Sequence, residues 1–376
     1  MKRTLLSTIL LIAFACAIVL VPQVRGAVVG AVMSLSHLHY DYVEENGVRV
    51  YYQDADQAEI LTNVLPEIQL NTDEWFSHEH EDMLHVVITR ESRWPHLFLA
   101  AANGVYFPSQ AKVFLDGSLE EDELVYGFSH EYLHHVMFDL LKSDGADPTS
   151  VPNWFHEGVA EAFAYQFAQL PFSDSMNWWD VVPYEDMRMD RGVNPAIQTE
   201  RYRISHFTVE KMKADEGSDV VGNIVRDVAS GARFEEAFEQ HTGETLSTYH
   251  THFKSEVEKI MTLGEMRFTA EKAETIKALH AFDDAQPPYY YAANTVYDYL
   301  NELYYEEGDW QNALEMRLKS AAYVQDHFVW RDIAELSLKT DELEKAERYA
   351  QKALVAADEE WEEDNNLWYD EWFNGE

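Results

Sequence analysis

From Val48 onward the apolar and polar positions alternate between strand-like and helix-like stretches. "VRVYY", residues 48–52, is a β-branched and aromatic run that predicts a strand. The following "DADQAEILTNVLPEIQLNTDEWFSH" places Ile60, Leu61, Val64, Leu65 and Ile68 at helical spacing, despite Pro66. "MLHVVIT" predicts a buried strand, and "GVYFPSQAKVFLD" two more, with Pro108 and Ser109 at a bend between them. The next helix is "SLEEDELVYGFSHEYLHHVMFDLL". Ser118 is its candidate N-cap, Glu121 sits three residues on, and acids fill its first turn. A turn-rich loop, "KSDGADPTSVPN", leads to a second helix, "WFHEGVAEAFAYQFAQL". Helical spacing then continues to Met261, and the first Pro-rich break is "DDAQPPYYYAANT".

Beyond Pro288 the pattern repeats. "YYEEGDWQNALEMRLKSAAYV" aligns with "SLKTDELEKAERYAQKALVAA", setting Asp309-Trp310 over Glu342-Leu343 and Ala313 over Ala346. The offset of about 33–34 residues resembles a pair of tetratricopeptide units, with a plain antiparallel bundle as the alternative. The ending "DEEWEEDNNLWYDEWFNGE" is acidic and aromatic, and reads as a solvated terminus rather than a docking segment.

At 376 residues, 46% of them hydrophobic, the chain can bury two cores. Asp and Glu number 68 against 28 Lys and Arg, a formal net charge of -40. Such a surface repels phosphate backbones, which argues against nucleic-acid binding and fits solubility or salt adaptation. In "MKRTLLSTILLIAFACAIVLVPQVRGA" two cations precede an apolar run from Thr4 to Val21. This is a signal peptide cut after Gly26, or a membrane anchor. Either one puts the body outside the cytoplasm, secreted or held at the outer face of the membrane. The single cysteine, Cys16, lies inside that run, so the exported body has no disulfide, thiol nucleophile or cysteine metal ligand.

Candidate chemistry sits in "GFSHEYLHHVMFDLL", which holds His-Glu-x-x-His at His130, Glu131 and His134. Residues four apart share a helix face, so both imidazoles can address one ion. Glu131, one residue round, stands beside that ion rather than on it and can take a proton from a metal-bound water. A catalytic zinc takes three protein ligands and keeps one open position, so a third ligand has to come from elsewhere. "HEHE" at 78–81 and "HLH" at 37–39 lack helical i,i+4 spacing and read as loop or surface histidines. His135 and His156 adjoin the motif residues and are expected to line the cleft or face solvent.

"PNWFHEGVAEAFAY" closely resembles the Trp-x-x-Glu-Gly-x-Ala segment of zinc aminopeptidases and related gluzincins. In that family the glutamate before glycine is the third ligand, which maps onto Glu157. Glu161 matches the acid that orients a ligating imidazole. The distance from His134 to Glu157 is slightly longer than in the aminopeptidases, and the difference falls in "KSDGADPTS". The resemblance, to the peptidase MA-like branch, covers roughly Val48 to Met261. It places Tyr202 where the family tends to have a tyrosine that stabilises the oxyanion. A Gly-x-Met-Glu-Asn segment, which anchors a substrate amino terminus, is missing, and this leaves endopeptidase or specialised processing open.

The resulting expectation is an α+β chain. Residues 1–26 are the signal peptide or anchor, and 27–47 a linker. Residues 48–262 are a gluzincin-type zinc metallopeptidase domain with a small mixed sheet and a helical half. A connecting helix and linker, 263–289, precede a small all-α tetratricopeptide-like domain, 290–357, and the acidic aromatic tail, 358–376. The expected function is hydrolysis of peptide bonds by zinc-bound water, with one Zn2+ per chain on His130, His134 and Glu157 and with Glu131 as general base. Expected partners are a peptide or protein substrate and a protein bound by the helical repeats. The alternative is an interaction protein whose repeats bind a partner and whose zinc site is structural or nearly inactive.

Overall fold

The computed structural model describes residues 39–77, 83–89, 103–168, 195–285, 290–324, 326–356 and 361–374. The N-terminal apolar run, Cys16 and "HEHE" lie outside these residues. Among the described residues, no helix is long and apolar enough to cross a membrane. The described residues are mixed α+β, with one five-stranded sheet and a helical C-terminal part, and the chain divides into two compact units.

The first unit holds the sheet, β1 Asp41–Glu45, β2 Val48–Tyr52, β3 Leu84–Thr89, β4 Gly104–Phe107 and β5 Lys112–Asp116. Their order is β1-β2-β3-β5-β4. The β2–β3 and β3–β5 pairs are parallel, and each edge is an antiparallel strand. The two central strands are buried almost throughout, which explains their unbroken apolar sequences. Edge strand β1, by contrast, is exposed and acidic, a composition that discourages pairing with another chain. It lies in the segment expected to be a linker. Glu45 pairs with Val48 across a two-residue loop in which Asn46 and Gly47 have φ of 47° and 78°. That is the left-handed geometry an Asn-Gly hairpin turn supplies.

Two helices lead out of this unit. Helix α1, Ala55–Phe76, buries Ala58, Leu61, Leu65, Ile68 and Thr72 at intervals of three or four, and leaves Pro66 on its exposed side. Helix α2, Glu121–Ser143, is buried on all sides between Gly127 and Met137. It begins three residues later than Ser118, whose amide and hydroxyl both donate to Asp116 Oδ1. The expected N-cap is therefore part of the turn that precedes the helix.

The second unit comprises Glu74–Ser77 and the chain from Leu140 onward. Helix α2 ends with Gly145 at φ 82°, where the amides of Gly145 and Ala146 donate to the carbonyls of Lys142 and Leu141. Helices α3 Asn153–Ala164, α4 Pro195–Glu216, α5 Val220–Ala229, α6 Phe234–Thr242, α7 Leu246–Thr269 and α8 Lys272–Asp283 follow. Phe234 packs edge-on against Trp154 and Phe155, with ring centroids 6.1 and 5.1 Å apart. Arg226 donates to the Phe76 carbonyl at 2.8 Å, satisfying an acceptor at the end of α1.

Helices α9 Tyr290–Glu307, α10 Trp310–Ser320, α11 His327–Lys339 and α12 Leu343–Ala356 form two helical pairs. The aligned residues Trp310 and Leu343 both begin the second helix of a pair. Tyr291 lies 4.9 Å, centroid to centroid, from buried Phe207 of α4, so the pairs share apolar contact with the earlier helices. The tail is not a solvated terminus. Helix α13, Glu362–Tyr369, buries Trp368 among Trp330, Ile333 and Ala350, and the Trp368 indole donates to Glu335.

A candidate metal centre

Three side chains from two helices offer ligand atoms within 4.8 Å of one another: His130 and His134 of α2, and Glu157 of α3. The two histidines are one helical turn apart, and their Nε2 atoms are 3.2 Å apart. Two nitrogens that each lie about 2.0–2.1 Å from one tetrahedral zinc stand about 3.3 Å apart, so the imidazole pair is already spaced as ligands. Both rings are buried, meeting edge to face at 4.9 Å. Two imidazoles and one carboxylate fit a borderline-soft divalent cation that keeps a fourth position open.

Glu131 follows His130 on the same buried stretch and is 8% exposed. Its side chain runs along Gly104 at the start of β4. A Cβ added at position 104 would fall 2.8 Å from Glu131 Cγ and 3.3 Å from its Oε1. Glycine is therefore the residue that leaves the carboxylate its place. Neither Gly104 nor this contact was found by reading the sequence, although a glycine opening a strand does signal a close approach.

Glu157 is half-buried in the second turn of α3, and Glu161 lies one turn further along the same helix. The glycine of the Glu-Gly pair has a packing role. A Cβ on Gly158 would lie 2.5 Å from the Ser205 carbonyl oxygen of α4. Helices α3 and α4 thus touch backbone to backbone at the residue next to Glu157.

The neighbouring histidines, His135 and His156, are buried and stand outside the converging group. His135 is buried, with Nδ1 3.1 Å from the Tyr106 hydroxyl of β4. His156 is buried, with Nε2 donating to the Pro148 carbonyl at 3.2 Å, a bond that ties the α2–α3 loop to α3. His39 lies in an exposed turn. Tyr202 is half-buried on α4, one turn before His206.

His206 is 1% exposed, against Tyr165 and Phe207, and burial followed by the nearby Lys213 charge pushes its imidazole down to about 3. It stays neutral in the folded chain while the unfolded chain protonates below its ordinary value near 6.5. The depressed folded value means that stability is full above about 6.5 and is lost as pH falls towards 3. Between pH 7 and pH 5 this group alone should remove about 2 kcal/mol. Urea unfolding at both pH values should show that loss in the wild type and a slope smaller by about one proton in His206→Phe.

No family model matches the chain, and no solved structure matches it. A protein of Bacillus subtilis strain 168, the uncharacterized protein YhcO, is 30% identical to it over 160 residues. The match covers 40% of this chain and 47% of YhcO, so the chain spans about half the length of the curated relative it matches.

Proposed function

We propose that the chain is an exported zinc-dependent metallopeptidase of the gluzincin kind that hydrolyses peptide bonds. The observation that carries this reading is the convergence of His130, His134 and Glu157 on one point, with a buried carboxylate, Glu131, next to His130 in the chain. A purely structural zinc site has no use for a buried carboxylate that is not a ligand. When bound, zinc supplies a Lewis acid that lowers the pKa of a water toward about 7 and polarises the scissile carbonyl.

The chain's own residues would carry out the remaining steps. Glu131 takes the proton of the attacking water and passes it to the leaving amine. Its side chain lies against Gly104, where any larger residue would crowd it. In this reading Glu161, one turn beyond Glu157, orients a ligating imidazole, and Tyr202 is the candidate donor to the oxyanion. The helical pairs from Tyr290 to Ala356 are the proposed partner-binding, tetratricopeptide-like part.

The test is digestion of a mixed peptide library. Cleavage by the purified protein should stop on chelation with 1,10-phenanthroline and return on adding back about one equivalent of zinc. Undiminished cleavage in the chelator would sink the reading.

A further inference from the structure

Edge strand β4 lies along the helix that carries the histidine pair, and its contacts recur with the period of that helix. Asn103, just before the strand, lies against Gly127, where an added Cβ would be 3.4 Å from Asn103 Cβ. Gly104 lies against Glu131. The Tyr106 ring meets His135 edge-on at 5.7 Å and Phe138 at 5.8 Å. Gly127, Glu131 and His135 are spaced by four and share one face of α2. Strand and helix also advance together. Two strand residues cover about 6.8 Å and four helical residues about 6 Å, so Gly104 and Tyr106 meet Glu131 and His135 in step.

The sheet holds the strand from its other side. Gly104 pairs with Leu115 and Tyr106 with Val113, and Phe107 packs edge-on against Phe114 at 5.5 Å. Against α2, the two glycines allow close approach but offer no side chain to grip. The Tyr106 hydroxyl and His135 Nδ1, 3.1 Å apart, supply a directional bond on that face. His135 is 3% exposed, so water does not readily replace a partner lost there.

We propose that Tyr106 and His135 are positioning residues for Glu131. Their bond pins β4 to α2 in the register that sets Gly104 beside the Glu131 side chain. Both act through Glu131 rather than on substrate. A general base needs this precision, because a misplacement of about 1 Å can cost about 10²-fold in rate. The effect on rate rests on the peptidase reading above, whereas the pinning of the strand rests on the geometry alone.

Tyr106→Phe keeps the ring and removes the hydroxyl, so it tests both parts. Hydrogen exchange read by mass spectrometry needs no substrate. The β4 peptide should exchange about 3–10-fold faster in the variant, the worth of one hydrogen bond, with β2 unchanged. On a library-derived peptide, kcat should fall about 10-fold, with KM and zinc content unchanged. His135→Phe should lose as much, and His135→Asn, whose side-chain amide can take the place of Nδ1, should retain more of the rate. The deciding comparison is made in the Glu131→Gln background. A residue that acts through Glu131 has nothing left to position there, so adding Tyr106→Phe should cost no further rate. A general packing role would cost the same in both backgrounds. The proposal is overturned by unchanged exchange in β4, by a wild-type kcat in Tyr106→Phe, or by an equal loss in the Glu131→Gln background. A wild type that cuts no peptide would sink the peptidase reading instead, and the exchange arm would still decide whether the pair pins the strand.

Discussion

Glu131→Gln should retain the fold and the metal and lose about 10²–10⁴-fold in peptide hydrolysis, the usual contribution of a positioned general base. Glutamine keeps the length of the side chain and suits a helix, so it can occupy the space beside Gly104. Its amide cannot accept a proton from the attacking water. Since Glu131 is not among the converging ligand atoms, zinc content should match the wild type. The loss should fall on kcat, because the carboxylate acts in the reaction step rather than in holding substrate. Steady-state cleavage of a library-derived peptide by both proteins measures it. Equal rates would remove Glu131 from the mechanism, and a parallel loss of zinc would make it a ligand.

Gly158→Ala should be strongly destabilising although it adds one methyl group. Its Cβ would stand 2.5 Å from the Ser205 carbonyl oxygen, 2.7 Å from the carbonyl carbon and 2.9 Å from Ser205 Cβ. These are backbone and near-backbone atoms, so no flexible side-chain end can yield, and α3 and α4 have to separate. Overpacking of this kind costs about 1–3 kcal/mol, and a contact onto helical backbone belongs at the upper end. Differential scanning calorimetry should show the midpoint lowered by roughly 5–10 °C. Zinc affinity should fall as well, since Glu157 moves with its helix. A wild-type midpoint would mean that the helix contact is not this close in solution.

Elements whose residues are buried on both faces were the easiest to read from the sequence. β3 and β5 are unbroken apolar runs because they lie in the middle of the sheet, and α2 announces itself by length and by its acidic first turn. Strand β1 gave little signal because its face is exposed: "DYVEE" has the composition of a solvated edge, and only the Asn46-Gly47 turn betrays the hairpin. Ser118 was ambiguous for a local reason, since Asp116 competes for its amide and wins. The tail misled through its charge, which hides one buried anchor, Trp368. In the candidate site, i,i+4 spacing was enough to pair His130 with His134, whereas Glu157 had to come from resemblance because it belongs to another helix. The approach of Gly104 to Glu131 and of Tyr106 to His135 joins strand to helix, and no spacing along the chain encodes it.

The most direct measurement is the metal content of the protein purified without chelators, by inductively coupled plasma mass spectrometry. The wild type should carry one zinc per chain, and His130→Ala, His134→Ala and Glu157→Ala should each lose it. Glu161→Ala should keep zinc at saturating concentration, with an affinity lowered about 10–100-fold. A wild type without zinc, or stoichiometric zinc in all three ligand variants, would contradict the assignment of the centre.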